Sequence, residues 1–214
     1  MENFKESVKK YAGIELNNAQ LEQFSKFANL LLETNKITNL TAIRDIDGIY
    51  TKHFLDSLTL LKALPNETKK IVDIGSGAGF PGLPIALARP DIEVTMIESI
   101  GKKTSFIQKS IETLHIKNAK VIKDRAENLS RNNNFKEKFD VVTARAVTVL
   151  SELIKICVPF IHKNGSFIAM KNESKEEIEL AERVLIGEKL KIEKIIPVKI
   201  PELNQRQLII IKKS

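Results

Sequence analysis

One stretch decides the fold of this chain: Ile71-Val-Asp-Ile-Gly75-Ser-Gly-Ala-Gly79-Phe-Pro-Gly82. A short β-branched run leads into a glycine-rich loop, and Pro84 follows where the first turn of a helix is expected. Glycine tolerates positive φ and, lacking a Cβ, lets a ligand approach the backbone. Since these glycines are more than a plain strand-to-helix connection needs, we predict a ligand-binding loop backed by the free N–H groups of a helix.

The sequence after residue 70 alternates short β-branched runs with amphipathic stretches, a pattern typical of βαβ units on a parallel sheet. No helical pattern separates the last two strand candidates, so we expect these two to pair antiparallel. The predicted strands are Lys70–Ile74, Glu93–Ile97, Lys120–Ile122, Phe139–Thr143, Gly165–Met170, Lys191–Val198 and Gln207–Lys212. This pattern predicts an α/β protein with a mostly parallel, Rossmann-like sheet that ends in a C-terminal antiparallel hairpin.

The N-terminal third has helical apolar spacing. Asn18 is positioned to cap one helix and Asp45 to cap the next, and Pro65 ends the region. No linker separates this region from the strands. We therefore predict a helical extension over residues 1–66 that packs on a sheet domain over residues 67–214 as one compact unit.

Composition narrows the class of protein. The 214 residues carry a net charge of +7, which favours a polyanionic partner. One cysteine excludes a disulfide framework and a cysteine-rich zinc site, and three histidines argue against a metal centre. With no apolar run at the N-terminus and none long enough to span a bilayer, we expect a cytoplasmic protein that does not contact membranes.

Spacing within the glycine loop restricts the ligand. A Walker loop ends in Gly-Lys-Ser/Thr, which is absent here. Gly77, Gly79 and Gly82 fit the dinucleotide spacing G-x-G-x-x-G, although they begin two residues late after the strand. An NAD(P)-dependent oxidoreductase is therefore one alternative at this point.

A second interpretation is that Gly75, Gly77 and Gly79, preceded by Asp73, look like the first motif of class I methyltransferases, whose cofactor is S-adenosylmethionine. An acidic residue repels a pyrophosphate but suits a cationic sulfonium. Glu98, at the end of the second predicted strand, can accept bonds from both hydroxyls of an adenosine ribose.

Further motifs extend this likeness over essentially the whole chain, which resembles the bacterial small-subunit rRNA guanine-N7 methyltransferase family, RsmG (GidB). Lys171-Asn172 departs from the Lys-Gly common in that family. The matching segments are Asn39–Asp45, His53–Ser57, Asp73–Pro84, Glu98-Ser99, Gly101–Lys103, Arg125–Glu127 and Ala144–Val147.

The resemblance implies a class I fold that moves the methyl group of S-adenosylmethionine to N7 of one guanine in 16S rRNA, free or in the small ribosomal subunit. It implies cofactor contacts at the following residues: Gly75, Gly77, Gly79, Phe80, Glu98, Ala126, Glu127 and Arg145. We expect the chain to act as a monomer.

The chemistry agrees with an N7 target. Guanine N7 already carries an in-plane lone pair, so methylation removes no proton and requires no general base. The chain lacks the Asn/Asp-Pro-Pro-aromatic motif of exocyclic-amine methyltransferases. Methylation at a ring C5 would need a cysteine nucleophile, but the one cysteine, Cys157, sits in an apolar run typical of a protein core. Arg145 is our candidate for orienting the substrate, through guanine O6 or a phosphate.

Cations at the predicted carboxyl ends of the strands are candidates for contact with RNA phosphates. These are Lys102, Lys103, Arg125 and Lys171. His53 and Asp56 share a helix face, and we expect a structural or RNA-contact role for them rather than base catalysis. A non-catalytic RNA-binding module is the remaining alternative.

Overall fold

A computed structural model describes residues 2–145, 147–203 and 205–213. Its centre is a seven-stranded sheet in the order β3-β2-β1-β4-β5-β7-β6. The pairs β3-β2, β2-β1, β1-β4 and β4-β5 are parallel, and β7 runs antiparallel to both β5 and β6. The strands are β1 (Lys70–Ile74), β2 (Glu93–Glu98), β3 (Ala119–Lys123), β4 (Phe139–Arg145), β5 (Ile161–Asn172), β6 (Leu190–Val198) and β7 (Arg206–Lys213). The predicted α/β class, the mostly parallel sheet and the C-terminal hairpin are confirmed.

Helices cover both faces of this sheet. They are α1 (Glu2–Ala12), α2 (Asn18–Thr38), α3 (Gly82–Ala88), α4 (Gly101–Thr113), α5 (Ala126–Leu129), α6 (Leu150–Cys157) and α7 (Lys175–Gly187). A further helical segment, residues 46–63, combines an α-helical turn at Ile46–Gly48, a π-helix at Ile49–Leu55, an α-helical turn at Asp56–Leu58 and a 3₁₀ helix at Thr59–Ala63.

Alternation along the strands builds two apolar cores, one on each face of the sheet. Ile71 and Val141 belong to the core under α1–α4 and the 46–63 segment, whereas Val72 and Val142 belong to the core under α5–α7. Buried strands with apolar residues on both faces are expected where helices pack on both sides of a parallel sheet. Cys157 is fully buried in the second core, as its apolar setting predicted.

The N-terminal extension shares the first core with the sheet. The Phe27 ring of α2 lies 5.6 Å from Phe80 of the glycine loop and 6.3 Å from Phe106 of α4, measured between ring centroids. The Gln20 amide donates to the carbonyls of Leu87 and Ala88 at the end of α3. The extension therefore contributes directly to the sheet's packing, while its boundary at residue 66 stays a prediction.

Some predicted boundaries were wrong. The cap of α2 is Asn17, not Asn18, because the Asn17 side chain and Gln20 form a reciprocal capping box. Strand β5 begins at Ile161, four residues before the predicted start at Gly165, since an irregularity in the β4–β5 register interrupts the pattern there. A Cβ at Gly165 would lie 2.7 Å from the Asp140 carbonyl oxygen, so the close approach of the two strands requires glycine.

Candidate active site

The glycine loop follows β1 and turns through left-handed backbone conformations. Gly75, Gly77 and Gly79 have φ of +68°, +61° and +93°. The Gly75 amide donates to the carbonyl of Ile97 in β2 (N···O 2.9 Å), which holds the loop against the neighbouring strand. The predicted need for glycine in this loop is confirmed, because residues that carry a side chain rarely adopt these backbone angles.

Glu98 stands beside this loop at the end of β2, only 5% exposed. Its Oε2 accepts the Gly77 N–H at 2.8 Å and its Oε1 accepts the Ile100 N–H at 2.8 Å. Each carboxylate oxygen has room for a second hydrogen bond. The two amides thus orient Glu98 while leaving it able to accept from a diol.

A cavity of ≈ 280 Å³ opens next to Glu98, at the carboxyl ends of β1, β2 and β3. We call it the cofactor cleft. Five residues assigned to the site from sequence line it, and the lining is Ile74, Gly75, Ile97, Glu98, Ser99, Asp124, Arg125, Ala126, Glu127, Val147 and Ile156. Its position agrees with the rule that open α/β sheets bind ligands outside the carboxyl ends of their strands.

Other residues assigned from sequence lie near the cleft without lining it. The Phe80 side chain is buried in the first core and stacks on His53, with ring centroids 4.4 Å apart. Gly77 and Gly79 belong to the loop wall. Lys102 and Lys103 begin α4, with Lys102 exposed to solvent. Their cofactor and RNA contacts stay predictions.

Asp73 lies fully buried behind the loop. Its Oδ2 accepts the Gly82 N–H at the start of α3 (3.0 Å), while its Oδ1 has no hydrogen-bond partner among the described residues. Burial raises the pKa of Asp73 to about 7, opposed by hydrogen bonds from Ser76 and Gly82. Asp73 is therefore only partly ionised at neutral pH, and a nearby cationic ligand would favour the ionised form whereas a pyrophosphate would oppose it.

Arg145, at the end of β4, is held by residues of the 46–63 segment. Its Nη1 donates to Asp56 Oδ2 at 3.0 Å and to the Lys52 carbonyl at 3.3 Å, and its Nη2 lies 3.2 Å from His53 Nδ1. The guanidinium carbon sits 5.2 Å from the Phe80 ring centroid. Arg145 is not among the residues that line the cofactor cleft, so its cofactor contact stays a prediction. Arg145, Asp56 and His53 form one cluster of polar contacts.

The surroundings of His53 determine the protonation state and the tautomer of its ring. Burial, followed by the nearby Arg145 charge, lowers the pKa of His53 to about 3, so the ring is neutral. Arg145 can only donate, which makes Nδ1 the acceptor and leaves Nε2–H to donate to Thr41 Oγ1 at 2.7 Å. Both ring nitrogens are thus committed, and His53 does not pair with Asp56.

A second cavity, of ≈ 420 Å³, lies on the Arg145 side and is called the acceptor pocket here. Its lining comprises Thr41, Ala42, Ile43, Lys52, His53, Arg145, Asn172, Glu202, Leu203 and Arg206. Arg206 Nη1 donates to Asn172 Oδ1 at 2.6 Å, and its Nε lies 3.7 Å from Asp56 Oδ1. Sequence reasoning did not assign Thr41, Asn172 or Arg206 to the site, although Thr41 lies in the matching segment Asn39–Asp45 and Asn172 in the departure Lys171-Asn172; only Arg206 carried no signal.

Lys171, a candidate for RNA contact from sequence, has two protein partners, and its RNA contact stays a prediction. Its Nζ lies 2.7 Å from Glu177 Oε1 and donates to the Thr148 carbonyl at 2.8 Å. The side chain is 13% exposed. Lys171 therefore differs from Arg125, which is exposed at the mouth of the cofactor cleft.

Two kinds of feature are absent from residues 2–145, 147–203 and 205–213. No helix there is long and apolar enough to cross a membrane. No cluster of three or more His, Cys, Asp or Glu side chains could hold a metal ion. Ala146, part of the Ala144–Val147 motif, lies outside the described residues.

Sequence comparison finds a family whose model matches residues 20–209, described as rRNA small subunit methyltransferase G. A relative from Lachnoclostridium phytofermentans with that same name is 41% identical over 204 residues, covering 94% of this chain and 84% of its own. The relative of that name from Bacillus subtilis is 38% identical over 204 residues, covering 94% and 85%.

Solved structures share the fold at low sequence identity. The Bacillus subtilis M1A22 tRNA methyltransferase TrmK superimposes with a TM-score of 0.60 at 12% identity, covering 74% of this chain and 65% of its own. A SAM-dependent methyltransferase from Aquifex aeolicus gives 0.58 at 13% identity, covering 84% and 96%. These likenesses support the class I methyltransferase fold.

Proposed function

We propose, because this chain belongs to the rRNA small subunit methyltransferase G family, that it methylates N7 of one guanine in 16S rRNA. Family membership makes the chain an rRNA methyltransferase. The choice of N7, the base-free mechanism and the roles of individual residues form our proposal. The observation that carries the mechanism is the neutral, fully committed His53 next to Arg145.

The cofactor is S-adenosylmethionine, which supplies an electrophilic methyl group on a sulfonium. Glu98 and the glycine loop hold the adenosine end, because Glu98 keeps acceptor capacity at the rim of the cofactor cleft. Ala126 and Glu127 border the same cleft on the β3 side. Asp73 has one oxygen without a hydrogen-bond partner among the described residues, and a bound sulfonium would favour its ionised form.

The acceptor pocket suits a reaction that needs no proton removed. His53 cannot serve as a base, because Arg145 donates to its only free lone pair and its pKa is about 3. Asp56 is 3% exposed and neutralises Arg145. An exocyclic amine would require a proton acceptor, whereas N7 presents a lone pair directly.

Arg145 retains donors for the substrate. Its Nη1 group and one Nη2–H are engaged by Lys52, Asp56 and His53, so two of the five guanidinium N–H bonds have no partner among the described residues. These donors can orient guanine O6 or a phosphate, which places N7 for in-line attack. Arg125, Lys102 and Lys103 would then contact the flanking RNA backbone.

The decisive test combines substrate and product analysis. The purified chain is incubated with methyl-labelled S-adenosylmethionine and either deproteinised 16S rRNA or 30S particles from cells lacking the endogenous enzyme. We expect labelled 7-methylguanosine in the nucleoside digest. Label in another nucleoside would contradict the N7 assignment, and binding of rRNA without transfer would favour a non-catalytic RNA-binding module. Calorimetry with NAD(P)H tests the oxidoreductase alternative, for which we expect no binding.

A further inference from the structure

Helix α6 starts without a cap of its own. Its N-cap residue is Val149, which has no side-chain acceptor for the free N–H groups of the first turn. Glu177, from α7, fills this role from outside the helix, with Oε1 accepting the Leu150 N–H at 2.7 Å. A carboxylate at a helix N-terminus is further stabilised by the helix dipole.

The same carboxylate oxygen is paired with Lys171. Lys171 Nζ lies 2.7 Å from Glu177 Oε1 and also donates to the Thr148 carbonyl at 2.8 Å. The Thr148 hydroxyl in turn donates to Glu152 in the first turn of α6. Two charged side chains, 13% and 21% exposed, therefore hold the Thr148 carbonyl and the Leu150 N–H, on either side of Val149.

The segment 147–150 contributes Val147 to the cofactor cleft. Val147 lines the cofactor cleft, and a Cβ built on Gly75 would lie 2.8 Å from its Cγ2, so the valine packs directly on the glycine loop. Val147 is nevertheless 43% exposed, and Val149 51%. Leu150 is fully buried, but the residues before it have little burial of their own, so the position of Val147 depends on the polar contacts that Lys171 and Glu177 provide.

We propose that Lys171 and Glu177 form a clamp that positions Val147 as a wall of the cofactor cleft, so that both act as positioning residues for S-adenosylmethionine binding. The inference rests on the proposed function, because it takes the cleft to be the cofactor site. It assigns a role to Glu177, for which the sequence offered none. It also gives Lys171 a role in supporting the cleft, in place of the RNA contact expected from the sequence.

The pairing makes the two residues interdependent. Removing Lys171 leaves the Glu177 carboxylate partly buried without its counter-charge, and removing Glu177 does the same to Lys171 while also freeing the Leu150 N–H. Loss of either partner should therefore release the segment to nearly the same extent. Independent roles would instead give effects that add.

Calorimetric titration of the full chain with S-adenosylmethionine tests the clamp. The variants are Lys171→Met, Glu177→Ala and the double substitution, with Glu177→Gln as a milder change that keeps an acceptor for Leu150. We expect each single variant to weaken binding by about fivefold, the double variant to be no weaker than about tenfold, and Glu177→Gln to lie between Glu177→Ala and the unsubstituted chain. Lys175→Met and Glu176→Ala, at exposed neighbouring positions, are the matched controls and should bind normally.

Three results would overturn the inference. These are unchanged cofactor affinity in Lys171→Met and Glu177→Ala, fully additive effects in the double variant, and a Lys171→Met variant that changes only the KM for rRNA. Thermal unfolding of each variant identifies chains that fail to fold, and Glu177→Gln keeps the test informative if Glu177→Ala is one of them. Failure of the unsubstituted chain to bind S-adenosylmethionine would instead count against the proposed function.

Discussion

Arg145 and Asp56 form a buried ion pair that joins the end of strand β4 to the N-terminal extension, with Nη1 and Oδ2 3.0 Å apart and the side chains 11% and 3% exposed. Burial lowers the pKa of Arg145, and the Asp56 charge opposes that shift. The pair has two consequences, because Asp56 neutralises the arginine that faces the acceptor pocket and also ties the two parts of the chain together.

Replacing Arg145 by lysine should separate these consequences. A lysine can keep a positive charge next to Asp56 but lacks the planar fork that also reaches Lys52 and His53. We expect kcat for methyl transfer to fall at least about tenfold, while the free energy of unfolding drops by about 1 kcal/mol. Rapid-quench transfer assays and urea unfolding measure the two quantities.

Asp56→Asn is the companion variant, because it leaves the guanidinium groups of Arg145 and Arg206 next to an uncharged amide. It should lower the free energy of unfolding by about 3 kcal/mol. Equal stability of this variant and the unsubstituted chain would contradict the structural role of the pair. Normal turnover by Arg145→Lys would remove Arg145 from the site.

The depressed pKa of His53 predicts a loss of stability in acid. The folded-state pKa is about 3, below the ordinary value of 6.5, so the unfolded chain takes up a proton that the folded chain refuses. The contribution is complete above pH 6.5 and is lost as the pH falls toward 3. At pH 5 the loss in the free energy of unfolding amounts to about 2 kcal/mol.

His53→Asn removes the titrating group and provides the control. The difference in free energy of unfolding between the two proteins should therefore shift in favour of the variant between pH 7 and pH 5. Urea titrations at half-unit steps give this difference directly. A constant difference over that range would mean that His53 titrates normally in the folded protein.

Asp73 should act in the opposite direction along the pH scale. Its folded-state pKa of about 7 lies above the ordinary 3.8, so folding retains a proton that the unfolded chain releases. The corresponding stability is complete below pH 3.8 and is lost as the pH rises to 7, at about 1 kcal/mol per pH unit. Asp73→Asn lacks this loss, and its stability relative to the unsubstituted chain should rise between pH 5 and pH 7 in chemical unfolding. A relative stability that stays flat would place the carboxylate in a better-solvated state.

Two glycines of the loop should respond differently to alanine. At Gly77 the new methyl would meet no atom within 4 Å, whereas at Gly79 it would lie 2.4 Å from Leu83 Cδ1. Both positions have positive φ. Gly77→Ala should therefore cost about 1 kcal/mol of folding free energy and Gly79→Ala about 3 kcal/mol, measured by urea unfolding.

The effect of Gly77→Ala on cofactor affinity should be larger than its effect on stability suggests. If the open space at Gly77 accommodates the cofactor, its methyl group raises the Kd for S-adenosylmethionine at least about tenfold despite the modest cost to folding. Unchanged affinity in Gly77→Ala would remove that glycine from the binding surface.

The features that could be predicted from sequence are local in the chain. Asp73, the glycine loop and Glu98 could be located because strand ends in parallel sheets carry ligand-binding residues at fixed places. The limits of β1 and the cap at Asp45 were likewise readable from neighbouring residues, and the structure agrees with both.

The missed features depend on contacts between distant segments. Arg206 reaches the acceptor pocket because β7 inserts between β5 and β6, an order that periodicity does not encode. Lys171 could be recognised as a cation after the predicted strand Gly165–Met170, but its partner Glu177 lies in the next helix and gave no separate signal. Likewise, His53 and Asp56 share a helix, yet their common partner is Arg145, about 90 residues away.

Strand β7 has an interior position in the sheet, between β5 and β6. Residues 206–213 form hydrogen bonds on both sides, and Arg206 at their start supplies a side chain to the acceptor pocket. A chain shortened before residue 206 would lack an internal strand and leave the facing edges of β5 and β6 unpaired, which promotes aggregation. The sheet and the acceptor pocket therefore depend on the same eight residues, so a change that displaces β7 should disturb both at once.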